Sequence, residues 1–129
     1  MGIRILVIED NPANLELMTY LLTAFGHTTT AARDGEEGVT AAVACIPDII
    51  LCDLAMPGLD GFGVARRLKA EPALRAVPLI AVTASAMVGD REKVIATGFD
   101  GYISKPIVPE TFVEEVEAFL RTHGDDPHR

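Results

Sequence analysis

The chain has 129 residues, 49% apolar and 23% charged, which is room for one ordinary domain with a real core. A formal net charge of −8, with no Lys/Arg cluster to offset it, argues against a nucleic-acid-binding surface. No apolar run reaches the ~18 residues of a membrane span, and Met1-Gly2-Ile3-Arg4 has no signal-peptide anatomy. Leu6 stands where a myristoylation signal wants Ser or Thr, so a cytoplasmic protein is expected.

Short β-rich runs alternate with helical patterns five times. Ile3–Ile8 is almost wholly apolar and reads as a strand buried on both faces. Asn11-Pro12 opens a helix with Leu15, Met18, Leu22 and Phe25 at helical spacing and Gly26 as its stop. His27–Ala32 is rich in threonine and reads as a strand near a sheet edge. Asp34-Gly35 turns into a helix over Glu36–Ala44, and Ile49–Cys52 forms a third strand with Asp53 at its carboxyl end. After the turn-rich loop Ala55–Gly61 come a helix over Phe62–Ala70 and a strand over Pro78–Val82 that ends at Thr83. A helix over Met87–Thr97, a short strand over Gly101–Ser104 and a last helix from Pro109 complete the series. The pattern predicts a doubly wound α/β domain with a five-stranded parallel sheet, spanning residues 1–123, and a polar tail over 124–129.

In such sheets a site forms beyond the carboxyl ends of the strands. Glu9-Asp10, Asp53, Thr83 and Lys105 all fall there, which would gather three carboxylates, a hydroxyl and an ammonium. Crowded carboxylates repel and raise one another's pKa, and a hard divalent cation such as Mg²⁺ relieves this. A carboxylate can attack phosphorus, and phosphoryl transfer needs mainly positioning and charge neutralisation. Cys45 and Cys52 read as small buried side chains in a reducing compartment. His27, His123 and His128 assemble neither a zinc site nor a triad.

Four stretches carry a resemblance: Val7–Asn11, Asp53–Gly61, Val82–Ala84 and Tyr102–Pro106. In this order, at these strand ends, they resemble the signature segments of response-regulator receivers of bacterial two-component signalling. Ala84–Asp90 is most similar to DivK-like single-domain receivers. The resemblance implies a flavodoxin-like sheet of order 2-1-3-4-5 with five helices. It implies Asp53 as phosphoacceptor, with Glu9, Asp10, Asp53 and the Ala55 carbonyl holding Mg²⁺. Thr83 and Lys105 would serve the phosphoryl group, Thr83 and Tyr102 would form the switch pair, and Lys105-Pro106 would be a cis peptide aiming the lysine at the site. Ala55 and Ser85 occupy positions that vary in the family. The implied partners are a histidine kinase or histidine phosphotransfer protein as donor, and an effector docking on the fourth helix, fifth strand and fifth helix. A receiver cut from a larger hybrid kinase would look the same, and the start at Met1 favours a free-standing protein. The resemblance implies a switch, not an enzyme, that catalyses only its own phosphorylation and slow autodephosphorylation.

Blander readings stand beside these. Glu9-Asp10-Asn11 can be a helix cap, Thr83 a plain strand end, Tyr102 a packed core ring, and Glu114, Glu115 and Glu117 a solvated face. A scaffold without the switch has no need of all five principal residues. A hydrolase of the haloacid-dehalogenase kind wants an aspartate at the position of Ala55.

Overall fold

Five short runs, most of them rich in β-branched and aliphatic residues, form parallel strands: β1 (Arg4–Ile8), β2 (Thr28–Ala32), β3 (Ile49–Asp53), β4 (Leu79–Thr83) and β5 (Gly101–Ser104). They alternate with α1 (Pro12–Ala24), α2 (Gly35–Ala44), α3 (Gly61–Lys69), α4 (Val88–Thr97) and α5 (Pro109–Gly124). The computed structural model describes residues 2–84 and 88–124. The expected helix start at Met87, Ser85, and the tail beyond Gly124 lie outside the described residues.

The sheet order is β2-β1-β3-β4-β5. From β1 the chain moves outward to β2, then returns to the other side of β1 as β3, so the winding reverses between β1 and β3. Side chains alternate across the sheet with period two. Ile5, Val7, Ile49, Leu51, Ile80 and Val82 pack with Met18 and Leu22 of α1 and with Phe112 and Val116 of α5. Leu6, Ile8, Ile50, Cys52, Leu79 and Ala81 pack on the opposite face with Ala42 of α2, Val64 and Leu68 of α3, and Val94 of α4. Both faces of β3 and β4 are thereby covered, which is why these strands read as continuous apolar runs. Strand β2 is at the edge, as its threonines predict, and three of its five residues are exposed.

Helix boundaries follow local chemistry. Asn11, Asp34 and Asp60 cap α1, α2 and α3, each accepting a backbone N–H three residues on. Gly26 adopts φ +92°, the left-handed stop expected after α1. A 3₁₀ turn over Pro72–Leu74 is an element the sequence pattern did not predict. Cys52 is buried as expected, but Cys45 is exposed, because it sits past the last turn of α2 as its C-cap. His27, expected to open β2, instead precedes it.

Candidate functional site

The topology places four strand ends around one cleft of about 450 Å³, lined by Glu9, Asp10, Asp53, Ala55, Thr83 and Lys105 among others. Glu9 and Asp10 follow β1, Asp53 and Thr83 are the last residues of β3 and β4, and Lys105 is the residue after β5. Backbone bonds fix these ends: Glu9 N–H donates to the Ala32 carbonyl at 3.0 Å, and Lys105 N–H to the Thr83 carbonyl at 2.8 Å. The Lys105-Pro106 peptide is cis.

Lys105 Nζ lies 3.0 Å from Glu9 Oε1 and 3.2 Å from Asp53 Oδ1. Asp53 Oδ1 also faces the Ala55 N–H at 3.4 Å. Glu9 is wholly buried, and Asp53 and Thr83 are only 4% exposed, so the floor of the cleft is partly desolvated. Glu9 Oε2 accepts the Asn11 N–H at 3.2 Å. Although Glu9 Oε1 is at ion-pair distance from Lys105, it receives no well-directed hydrogen bond. A buried carboxylate oxygen without a directed donor is costly unless a cation completes its surroundings.

Each of Glu9, Asp10 and Asp53 contributes an oxygen within 4.8 Å of the others. Burial pushes the Glu9 carboxyl above its ordinary value, against the pull of Lys105 and the Asn11 N–H. Burial also raises the Asp10 carboxyl, helped by hydrogen bonding and repulsion from Asp53. For Lys105, burial opposes the charge, but Glu9 and Asp53 outweigh it and hold the ammonium above its ordinary value. The oxygen-only donor set, its proton affinity and the unsatisfied Glu9 oxygen fit a hard divalent cation.

The structure brings together every predicted residue of the acidic and basic cluster. The capping alternative resolves residue by residue: Asn11 is the helix cap, through its bond from Asn14 N–H at 3.0 Å, while Glu9 and Asp10 line the cleft. Tyr102 is half-buried on β5 and does not line it. Two features were missed. A Cβ on Gly61 would come within 2.5 Å of the Asp53 carbonyl oxygen and 2.7 Å of Leu54 Cα, so this position needs glycine for close approach to the strand end. The sequence showed Gly61 only as turn chemistry. Arg91 lies over the Tyr102 ring, a contact no local pattern announces.

A family model for the response regulator receiver domain matches residues 5–117. The chain belongs to this family. The receiver is 40% identical over 116 residues to the polar-differentiation response regulator DivK of Brucella anthropi, a match covering 90% of this chain and 94% of that one. It is 35% identical to the receiver domain of the sensor histidine kinase PA1611 of Pseudomonas aeruginosa, with a TM-score of 0.83 and coverage of 95% and 98%. That structure has magnesium coordinated in its active-site cleft. Chemotaxis protein CheY4 of Vibrio cholerae shares the fold, with a TM-score of 0.88 at 22% identity over 92% of this receiver and 99% of that chain. No helix among the described residues is long and apolar enough to cross a membrane.

Proposed function

We propose that this receiver is a phosphorylation-driven binding switch of the cytoplasm, in which Asp53 accepts a phosphoryl group in a Mg²⁺-dependent reaction. The observation that carries this is the Asp53 carboxylate on the floor of the cleft, 3.2 Å from Lys105 Nζ and clustered with two further carboxylates. Glu9, Asp10 and Asp53 would hold the ion, with the Ala55 carbonyl as a further ligand; the magnesium-bound Pseudomonas receiver supports this. When bound, Mg²⁺ supplies charge neutralisation for the incoming phosphoryl oxygens and for the carboxylates around them.

The remaining chemistry belongs to the chain. An Asp53 carboxylate oxygen attacks phosphorus in line, an O–P bond forms, and the bond from phosphorus to the donor breaks with its electron pair staying on the donor. The donor is the phosphorylated imidazole of a histidine kinase or histidine phosphotransfer protein, and the product is an acyl phosphate. Lys105, held between Glu9 and Asp53, offers its ammonium to the transferred group. Thr83, at the end of the neighbouring strand, reaches toward a phosphoryl oxygen, and Tyr102 turns inward behind it. The altered surface of α4, β5 and α5 then binds an effector protein. Slow hydrolysis of the acyl phosphate resets the switch.

The test is the intact mass after incubation with acetyl phosphate and Mg²⁺. One phosphoryl group should be gained, and lost with EDTA and in Asp53→Asn; undiminished incorporation in Asp53→Asn would overturn the proposal.

A further inference from the structure

Arg91 stands one turn into α4, and its guanidinium carbon is 5.3 Å from the centroid of the Tyr102 ring. The ring faces α3 and α4, because Tyr102 pairs in register with Ala81 and packs with the same cluster. Thr83 lies two residues further along β4 on that same face. Ala81 contributes only a methyl group beside Tyr102, so β4 presents little bulk between the ring and Thr83. Helix α4 is itself anchored nearby, with Lys93 Nζ 4.5 Å from the Phe62 ring centroid and Phe62 edge-on to Phe99 at 6.4 Å. The guanidinium therefore projects from α4 onto the face of the Tyr102 ring.

We propose that Arg91 is a positioning residue of the switch: it holds the Tyr102 ring at the α4–β5 surface and so biases the domain against its phosphorylated state. This rests on the reading of Tyr102 as part of that switch. A guanidinium is attracted to the negative face of an aromatic ring, and rotating the ring toward Thr83 withdraws that face. An exposed contact of this kind corresponds to a population ratio of roughly two to five. Because coupling is reciprocal, the same factor enters the apparent affinity for a phosphoryl donor.

The experiment measures phosphorylated fraction by intact mass against acetyl phosphate concentration at fixed Mg²⁺. Arg91→Ala is compared with Arg91 in three backgrounds, namely Tyr102, Tyr102→Phe and Tyr102→Leu. Arg91 is exposed, so its truncation opens no core. Arg91→Ala should lower the half-saturating concentration about two- to fivefold with Tyr102 or Tyr102→Phe, which keep the ring face, and leave Tyr102→Leu unchanged. An equal shift in all three backgrounds would overturn the proposal in favour of a plain charge effect. A silent Arg91→Ala beside an altered Tyr102→Leu would overturn the role of Arg91 alone. A Tyr102→Leu curve identical to that of Tyr102 would remove Tyr102 from the switch, and Arg91 with it.

Discussion

Adding Mg²⁺ should raise the melting temperature, and the size of the rise follows from mass action. A ligand that binds only the folded state stabilises it by about 2.7 kcal/mol at 100 times its dissociation constant. Unfolding entropy near the melting point is about 2.1 cal/mol/K per residue, or roughly 0.27 kcal/mol/K for this chain of 129 residues. The expected shift is therefore about 10 °C at neutral pH. Its pH dependence has a defined sign. The folded apo protein holds Glu9 and Asp10 above their ordinary values of 4.5 and 3.8, so it binds protons more tightly than the unfolded chain. Their contribution to apo stability is fully present below those ordinary values and is lost as pH rises through the raised ones. Mg²⁺ competes with the same protons, so its shift should be full above that window and fade as pH falls through it. Differential scanning fluorimetry from pH 4 to 8, with and without Mg²⁺ and with Glu9→Gln alongside, reads this directly. A shift absent at neutral pH, growing on acidification, or undiminished in Glu9→Gln would refute the reasoning.

Gly61→Ala should slow acetyl phosphate uptake and cost roughly 1–3 kcal/mol in urea unfolding, because the new Cβ meets the Asp53 carbonyl and Leu54 backbone; wild-type stability and rate would show that the strand end gives way freely. His27 is buried with Nδ1 accepting the Ile3 N–H at 3.3 Å, which leaves Nε2–H to donate to Glu117 Oε2 at 2.9 Å. His27→Leu removes the acceptor of the Ile3 N–H and the link to Glu117, and should cost about 1–3 kcal/mol in urea unfolding, with a loss below about 0.5 counting against this bridge. The Lys105 ammonium is held above 10.5, so its stabilisation is complete below that value and is lost as pH rises through the raised one. Alkaline melting curves of Lys105→Met should therefore lack that extra loss; an unchanged alkaline limb would contradict the pairing.

Periodicity carried most of the fold into the sequence. Strands packed on both faces show as unbroken apolar runs, as in Ile49–Cys52 and Leu79–Val82, and Asn11-Pro12 and Asp34-Gly35 mark helix starts within a residue. Strand ends then located Glu9, Asp10, Asp53, Thr83 and Lys105, since in a parallel sheet those ends converge. Other features depend on contacts between distant segments. His27 and Glu117 are 90 residues apart, and nothing local links an isolated histidine to one of several acidic positions on a helix. The complete burial of Glu9 depends on packing around β1 and on Lys105 reaching across two strands. The Pro72–Leu74 turn is too short for any periodicity to register. Gly61 looks like any turn glycine until the Asp53 carbonyl is placed beside it.

The central claim concerns one carboxylate, and locating the phosphoryl group tests it most directly. After phosphorylation with acetyl phosphate and Mg²⁺, borohydride reduction of the acyl phosphate followed by peptide mass spectrometry should find homoserine at position 53. Reduction at Glu9, at Asp10 or at a carboxylate outside the cleft would contradict the account.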